Sequence, residues 1–348
     1  MRIAKMLGAA LVLLAGVCAP AAAQRVEGRV VSAADSVGVA TALVQLLDAA
    51  GARVAQAGTA AGGTFGLNAP APGRYTVAVL RIGQRPWRSA PLDLEAGAVR
   101  RVVFAVPDAP ITLAAIPIEA SSACRTSPAE GSLIGALLAE ADKALTLTRL
   151  AMESGAGAYL VERYERTQTE SFATMDSVGT IDDLGAWPIK SAPPESLAVH
   201  GFVREDAPTA DRQHGGSTYF GPDASVLFSP WFLSTHCFGV AGGLETDSDA
   251  VVVTFRPAGL RRADIAGRLI IARRTLELRR LEWRYVRLGW WVGREGAGGA
   301  MVLARLPSGA YLPSSWWMRG PVAEVNASRE PRRLYGWKES GGRIVPSP

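Results

Sequence analysis

The chain has 348 residues, 37 lysines and arginines against 32 acidic residues, and a hydrophobic content of 48%. That is long enough for two buried cores and too apolar for a disordered or low-complexity chain. Lysine stands only at positions 5, 143, 190 and 338, so the positive charge is almost all arginine. The basic excess is small and spread among acidic residues, which argues against a nucleic-acid partner.

The first residues, MRIAKMLGAALVLLAGVCAPAAAQ, set Arg2 and Lys5 before an apolar run from Met6 to Val17. Ala21 and Ala23 supply small residues at a cleavage position, so residues 1–23 are expected to be a signal peptide. The run is too short to cross a bilayer, which needs about 20 residues. Val17 before Cys18 disfavours a lipobox. The mature protein is expected to be periplasmic or extracellular, with no transmembrane span.

Residues 25–106 read as short strands separated by Gly, Pro, Asp and Ala clusters. Ala42, Val44 and Leu46 share one face, as do Tyr75, Val77 and Val79. Even spacing without a helical period predicts a small antiparallel sandwich. The motifs are Val26, Gly28 and Val30, then Ala42, Val44 and Leu46, Gly63 and Phe65, and Pro72, Gly73, Tyr75 and Val77. On these the segment resembles the carboxypeptidase regulatory-like domain, which implies a seven-stranded transthyretin-like β-sandwich and no peptidase activity. Ala60 and Ala61 replace the acidic residue common before the G-x-F strand.

Residues 107–126, Pro-rich, are expected to be a linker. "ITLAAIPIEA" within them resembles the segment before the plug of TonB-dependent receptors, but the remaining chain is too short for such a barrel. A helix is expected next: Ser127 as N-cap, Pro128 at the first position, Glu130 at the capping-box position. Leu133, Leu137, Ala141 and Leu145 recur every fourth residue to pack one face on a sheet. The rest, to residue 345, reads as strands, so an α+β module with a curved antiparallel sheet and one packed helix is expected over 127–345. In "DIAGRLIIARRTLELRRLEWRYVRL" the apolar parity changes between Leu278 and Leu281, which predicts a bulge or two-sided burial. A hairpin is expected at Pro307-Ser308-Gly309. The strand pairing is locally similar to the half-barrels of periplasmic lipoprotein carriers. The whole second segment resembles a group of secreted bacterial proteins without assigned activity.

Candidate chemistry centres on "STHCF", Ser234 to Phe238. Read as a strand, it points His236 and Cys237 to opposite faces, so the imidazole does not serve the thiol. With Cys18 removed, Cys124 and Cys237 remain in an oxidising compartment, and one disulfide between them is expected. His200, His214 and His236 have no zinc-ligand spacing. "HGGS" at 214–217 resembles an esterase oxyanion loop, yet no G-x-S-x-G elbow accompanies it. No metal, cofactor or catalytic residue is therefore expected. Trp290-Trp291 and Trp316-Trp317 are adjacent pairs that place one ring on each face of a strand. Trp290 and Trp316 are the expected ligand-stacking residues, with burial of both members as the alternative. These readings predict a non-catalytic binding or envelope-associated protein, with a glycan, a lipid or an envelope protein as partner and carbohydrate binding as one outcome. The alternatives are a periplasmic lipid or lipoprotein carrier, marked by a deep apolar cavity on the concave side of the sheet, and a secreted hydrolase assembled from residues distant in sequence.

Overall fold

The computed structural model describes residues 24–111, 124, 128–154, 160–168, 173–181, 187–206, 216–241, 249–259, 262–288, 296–306, 309–325 and 331–345. The expected signal peptide, most of the expected linker, Ser127, His214 and Trp290 lie outside these residues.

The N-terminal unit holds eight strands: β1 (Gln24–Ser32), β2 (Leu43–Leu47), β3 (Arg53–Gly58), β4 (Thr64–Ala69), β5 (Gly73–Leu80), β6 (Trp87–Arg88), β7 (Leu92–Leu94) and β8 (Val99–Val106). They form two sheets, β4-β1-β8 and β3-β2-β5-β6, with β7 also pairing β5. β6 and β7 together make one broken edge along β5, which reconciles eight strands with a seven-position sandwich. One pair departs from the antiparallel pattern: β8 runs parallel to β1. Ala42, Val44 and Leu46 are fully buried; Val77 and Val79 pair beside them on β5 with Tyr75, and Phe65, Leu67 and Phe104 meet them from the other sheet. Burying one such side chain stabilises by about 1.5–3 kcal/mol, and the period of two in the sequence aims each of them inward. Gly28 is required by close approach, because a Cβ there would stand 2.4 Å from Val102 O.

The second unit begins with α1 (Pro128–Glu153). β9 (Leu160–Gln168), β10 (Ala173–Ile181), α2 (Pro194–His200), β11 (Val203–Asp206), β12 (Gly216–Tyr219), α3 (Ala224–Leu227) and α4 (Pro230–Thr235) follow. The chain then runs through β13 (His236–Ala241), β14 (Ala250–Pro257), β15 (Asp264–Ala272), β16 (Leu278–Val286), β17 (Gly298–Arg305), β18 (Tyr311–Val325) and β19 (Pro331–Val345). Nine strands form one open antiparallel sheet in the order β10-β9-β19-β18-β17-β16-β15-β14-β13, and β11 pairs β12 apart from it. The parity change in β16 is a bulge, since Ile270 pairs Arg280 while Ile271 pairs Leu278.

α1 crosses the inner face of this sheet and touches β13, β14, β15, β16 and β18. Ile134, Leu137, Ala141, Ala144 and Leu145 are buried against Phe255, Leu269, Leu281, Trp283 and Met301 in one core. The four-residue spacing thus does what it predicts. Of the stretch Ser234–Phe238 read as a strand, Ser234 and Thr235 instead end helix α4, and the strand begins at His236. Ser229 Oγ accepts from Phe232 N at 3.1 Å and Pro230 takes the first turn, so a cap and a fixed φ override a short apolar run.

The two units meet at the turn after β5. Glu140 and Lys143 of α1 pair at 2.6 Å with side chains 3% and 8% exposed. Glu140 Oε2 accepts from Gly83 N at 2.8 Å, and Lys143 Nζ donates to Arg81 O at 3.3 Å. Gly83, at φ +72°, fits against Thr275 O, where a Cβ would lie 2.5 Å away.

Candidate functional site

Cys124 and Cys237 are joined by a disulfide, with their Cα atoms 4.7 Å apart. Neither sulfur is then a thiolate, and only a thiolate is a nucleophile or metal ligand. His236, beside it, is enclosed: its side chain is 0% exposed and lies flat on Phe232, ring centres 3.6 Å apart. Nε2 stands 3.1 Å from Asp264 Oδ1, and Nδ1 stands 3.1 Å from Phe232 O and 3.2 Å from Thr235 Oγ1. Phe232 O and Asp264 Oδ1 are both acceptors, so a neutral ring donates to one of them only, and which one depends on the tautomer. Thr235 Oγ1 donates to Trp231 O at 2.8 Å. The group ties α4 to β15 rather than opening on a cleft. Among the described residues no cluster of three metal-ligating side chains occurs.

Of the two ligand-stacking residues expected from sequence, Trp290 lies outside the described residues and Trp316 is buried. Trp316 is 5% exposed and belongs to the core under α1, because it pairs Met301 and shares the inward parity of β18 with Met318. Gly342 opposite has no side chain because a Cβ would stand 2.5 Å from the Trp316 ring. Trp317, its neighbour, takes the opposite, outer face.

That outer face is built in rows by strand register. One row runs Tyr164, Gly341, Trp317, Ala300, Glu282, Arg268 and Thr254, from β9 to β14. The next runs Arg166, Glu339, Arg319, Gly298, Arg284 and Ala266, from β9 to β15. Arg256 on β14, paired with Cys237, continues it toward the sheet edge. Gly341, Ala300, Gly298 and Ala266 form a low floor between tall side chains. A Cβ at Gly341 would stand 2.7 Å from the Tyr164 ring, so glycine there lets that ring lie over the strand.

Two concavities result, meeting at the Glu282–Ala300 pair. The first, of about 600 Å³, is lined by Tyr164, Trp317, Ala300, Ser315, Arg280 and Arg343 among others. The second, of about 470 Å³, is lined by Arg256, Arg268, Arg284, Glu282 and the disulfide. Glu282 pairs with both Arg268 and Arg280, and Arg343 pairs with Glu162 at 2.7 Å. Tyr164 donates to Glu339 Oε1 at 2.9 Å. Burial, with the Glu339 carboxylate second, pushes the Tyr164 phenol up to about 12, so it is a neutral donor at ordinary pH. Arg166 lies 5.9 Å from the Tyr164 ring centre and Arg319 4.6 Å from that of Trp337. No described carboxylate forms an ion pair with Arg166, Arg256, Arg284 or Arg319. The arrangement offers flat apolar rings, a floor without side chains and cationic forks, which suits binding rather than bond-making.

A third concavity, of about 950 Å³, lies between the units, with the C-terminal turns of α1 on one side and β3 and β4 on the other.

The fold and the outer face define a two-unit protein, a small β-sandwich joined to a helix-filled open sheet. Residues 25–107 match the family model of the carboxypeptidase regulatory-like domain, so the N-terminal unit is one. No curated protein matches the chain. Among solved structures, a Bacteroides fragilis protein described as membrane-associated and of unknown function is 11% identical and aligns over 93% of this chain and 97% of its own, with a TM-score of 0.18. No helix among the described residues is long and apolar enough to cross a membrane.

Proposed function

We propose that the protein is a non-catalytic binding protein of the cell envelope, periplasmic or extracellular, whose ligand seat is the outer sheet face around Trp317 and Tyr164. The observation that carries this reading is the pair of aromatic rings set either side of Gly341 and rimmed by arginines, on a face that no described helix covers. The secretion-type N-terminus and the regulatory-like domain support the compartment. The enclosed His236 and the bonded cysteines supply no nucleophile, which favours binding over a hydrolase. A lipid carrier would need space on the inner side of the sheet. There α1 buries Leu137, Ala141 and Leu145 completely, which favours the outer face as the seat.

The test is sedimentation of the purified mature protein with isolated cell envelopes. Trp317→Ala should weaken retention about tenfold, since truncating a central aromatic anchor costs on the order of 1.4 kcal/mol or more. Retention unchanged in Trp317→Ala, at an unaltered melting temperature, would remove this face as the seat.

A further inference from the structure

Resting on that seat, we infer that its ligand is an anionic polysaccharide, laid across the strands with its acidic groups received by a rank of arginines. Arg166, Arg319, Arg284 and Arg256 stand on β9, β18, β16 and β14, that is, on every second strand of one register row. Gly298 and Ala266 hold two of the places between them, so the line from fork to fork is unobstructed there. Neighbouring strands are about 4.8 Å apart, which sets the Cα atoms of the rank about 9.6 Å from one another and the whole rank across about 29 Å.

That spacing decides among polyanions. An extended β-linked polysaccharide bearing one acidic group per disaccharide repeats its charge over a similar length. Nucleic acid carries a charge every 3.4 Å along each strand, far denser than the rank. A membrane surface is flat, whereas Arg166, Arg256 and Arg284 line concavities. The adjacent row places Tyr164 and Trp317 beside the rank, where sugar rings stack their apolar faces while the carboxylates or sulfates meet guanidinium forks. Seven arginines (166, 256, 268, 280, 284, 319 and 343) face outward here against Glu162, Glu282 and Glu339, a local excess that the nearly balanced chain as a whole does not have.

The experiment is titration of the mature full-length protein with hyaluronate, which carries one carboxylate per β-linked disaccharide, chondroitin sulfate, which adds a sulfate, neutral dextran, single-stranded DNA and phosphatidylglycerol vesicles at two salt concentrations. We expect binding to the two acidic polysaccharides, their ratio telling carboxylate from sulfate, and weakening as salt rises. Arg284→Glu and Arg256→Glu, both at exposed positions, should each weaken it about tenfold without lowering the melting temperature, and Arg284→Lys should recover part. Equal binding of neutral dextran, with no effect of the arginine changes, overturns the acidic class while leaving the Trp317 seat standing. Tighter binding of DNA or vesicles than of either polysaccharide overturns it in favour of those partners. Envelope retention that depends on Trp317, with none of these polymers bound, also overturns it. Retention independent of Trp317 is the distinct failure of the seat itself.

Discussion

Tyr164, Tyr219, Tyr285 and Tyr311 each set a phenol where its charged form is costly, mainly through burial. Three donate to backbone carbonyls: Tyr219 to Pro321 at 2.8 Å, Tyr285 to Phe220 at 3.0 Å, and Tyr311 to Leu278. Their folded pKa values are raised, Tyr164 to about 12 and the others further, while an unfolded tyrosine titrates near 10. Above about pH 10 the native state therefore holds protons that the unfolded chain has released, and the slope of stability against pH is negative. Stability from these groups is complete below that pH and is lost as pH climbs toward the folded values. Thermal melts should be flat at mildly alkaline pH and fall steeply beyond about pH 10. Tyr285→Phe should cost about 1 kcal/mol at neutral pH, from the lost hydrogen bond, and make the alkaline fall shallower. An unchanged alkaline slope in Tyr285→Phe would show that this phenol is free to ionise.

At the scale of elements, β13 is the edge of the large sheet, and an unprotected edge invites pairing with other chains. Cys124 lines the outer concavity, whereas α1, starting at Pro128, packs on the inner face and touches β13. The disulfide holds residue 124 at this edge strand, closing 113 residues of sequence. In the chain-entropy model such a closure stabilises by up to about 4–5 kcal/mol. Reduction, or the Cys124→Ser and Cys237→Ser double change, should lower the denaturation midpoint and speed amide exchange in β13 before β16. Two titratable thiols in the unfolded, unreduced protein would refute the bond. Which elements the sequence announces depends on how local their signals are. The sandwich strands and α1 are legible because their periods, two and four, lie within a few residues of one another. α4 is not, because Trp231-Phe232-Leu233 suits a strand and a helix equally, and only Ser229-Pro230 marks the helix start. Trp316 and Trp317 are legible as one ring in and one out, and Met318 carries the phase. The arginine rank is illegible altogether: its members become neighbours only once β19 inserts between β18 and β9.

For the whole molecule the question is what makes two separately cored units behave as one. The sandwich core and the sheet core are distinct clusters, so each unit buries its own apolar surface. Across the boundary Ile82 and Ile111 reach the larger core, and the Glu140–Lys143 pair is completed by backbone of the Arg81–Gly83 turn. That pair has no solvent to fall back on, and removing one member of a buried pair strands the other, at a cost of about 3–5 kcal/mol. Glu140→Ala should therefore do more than lower the melting temperature. It should uncouple the units, so that calorimetry resolves two transitions where the parent gives one, and protease should cut near residue 110 faster than before. The Glu140→Met, Lys143→Met double change removes both charges and keeps the volume, and should restore much of the lost stability, because hydrophobic replacement of a buried pair is often neutral. A double variant as unstable as Glu140→Ala alone would mean that the hydrogen bond to Gly83 N, rather than the stranded ammonium, holds the units together. A single transition in every variant would place the coupling in Ile82 and Ile111 instead.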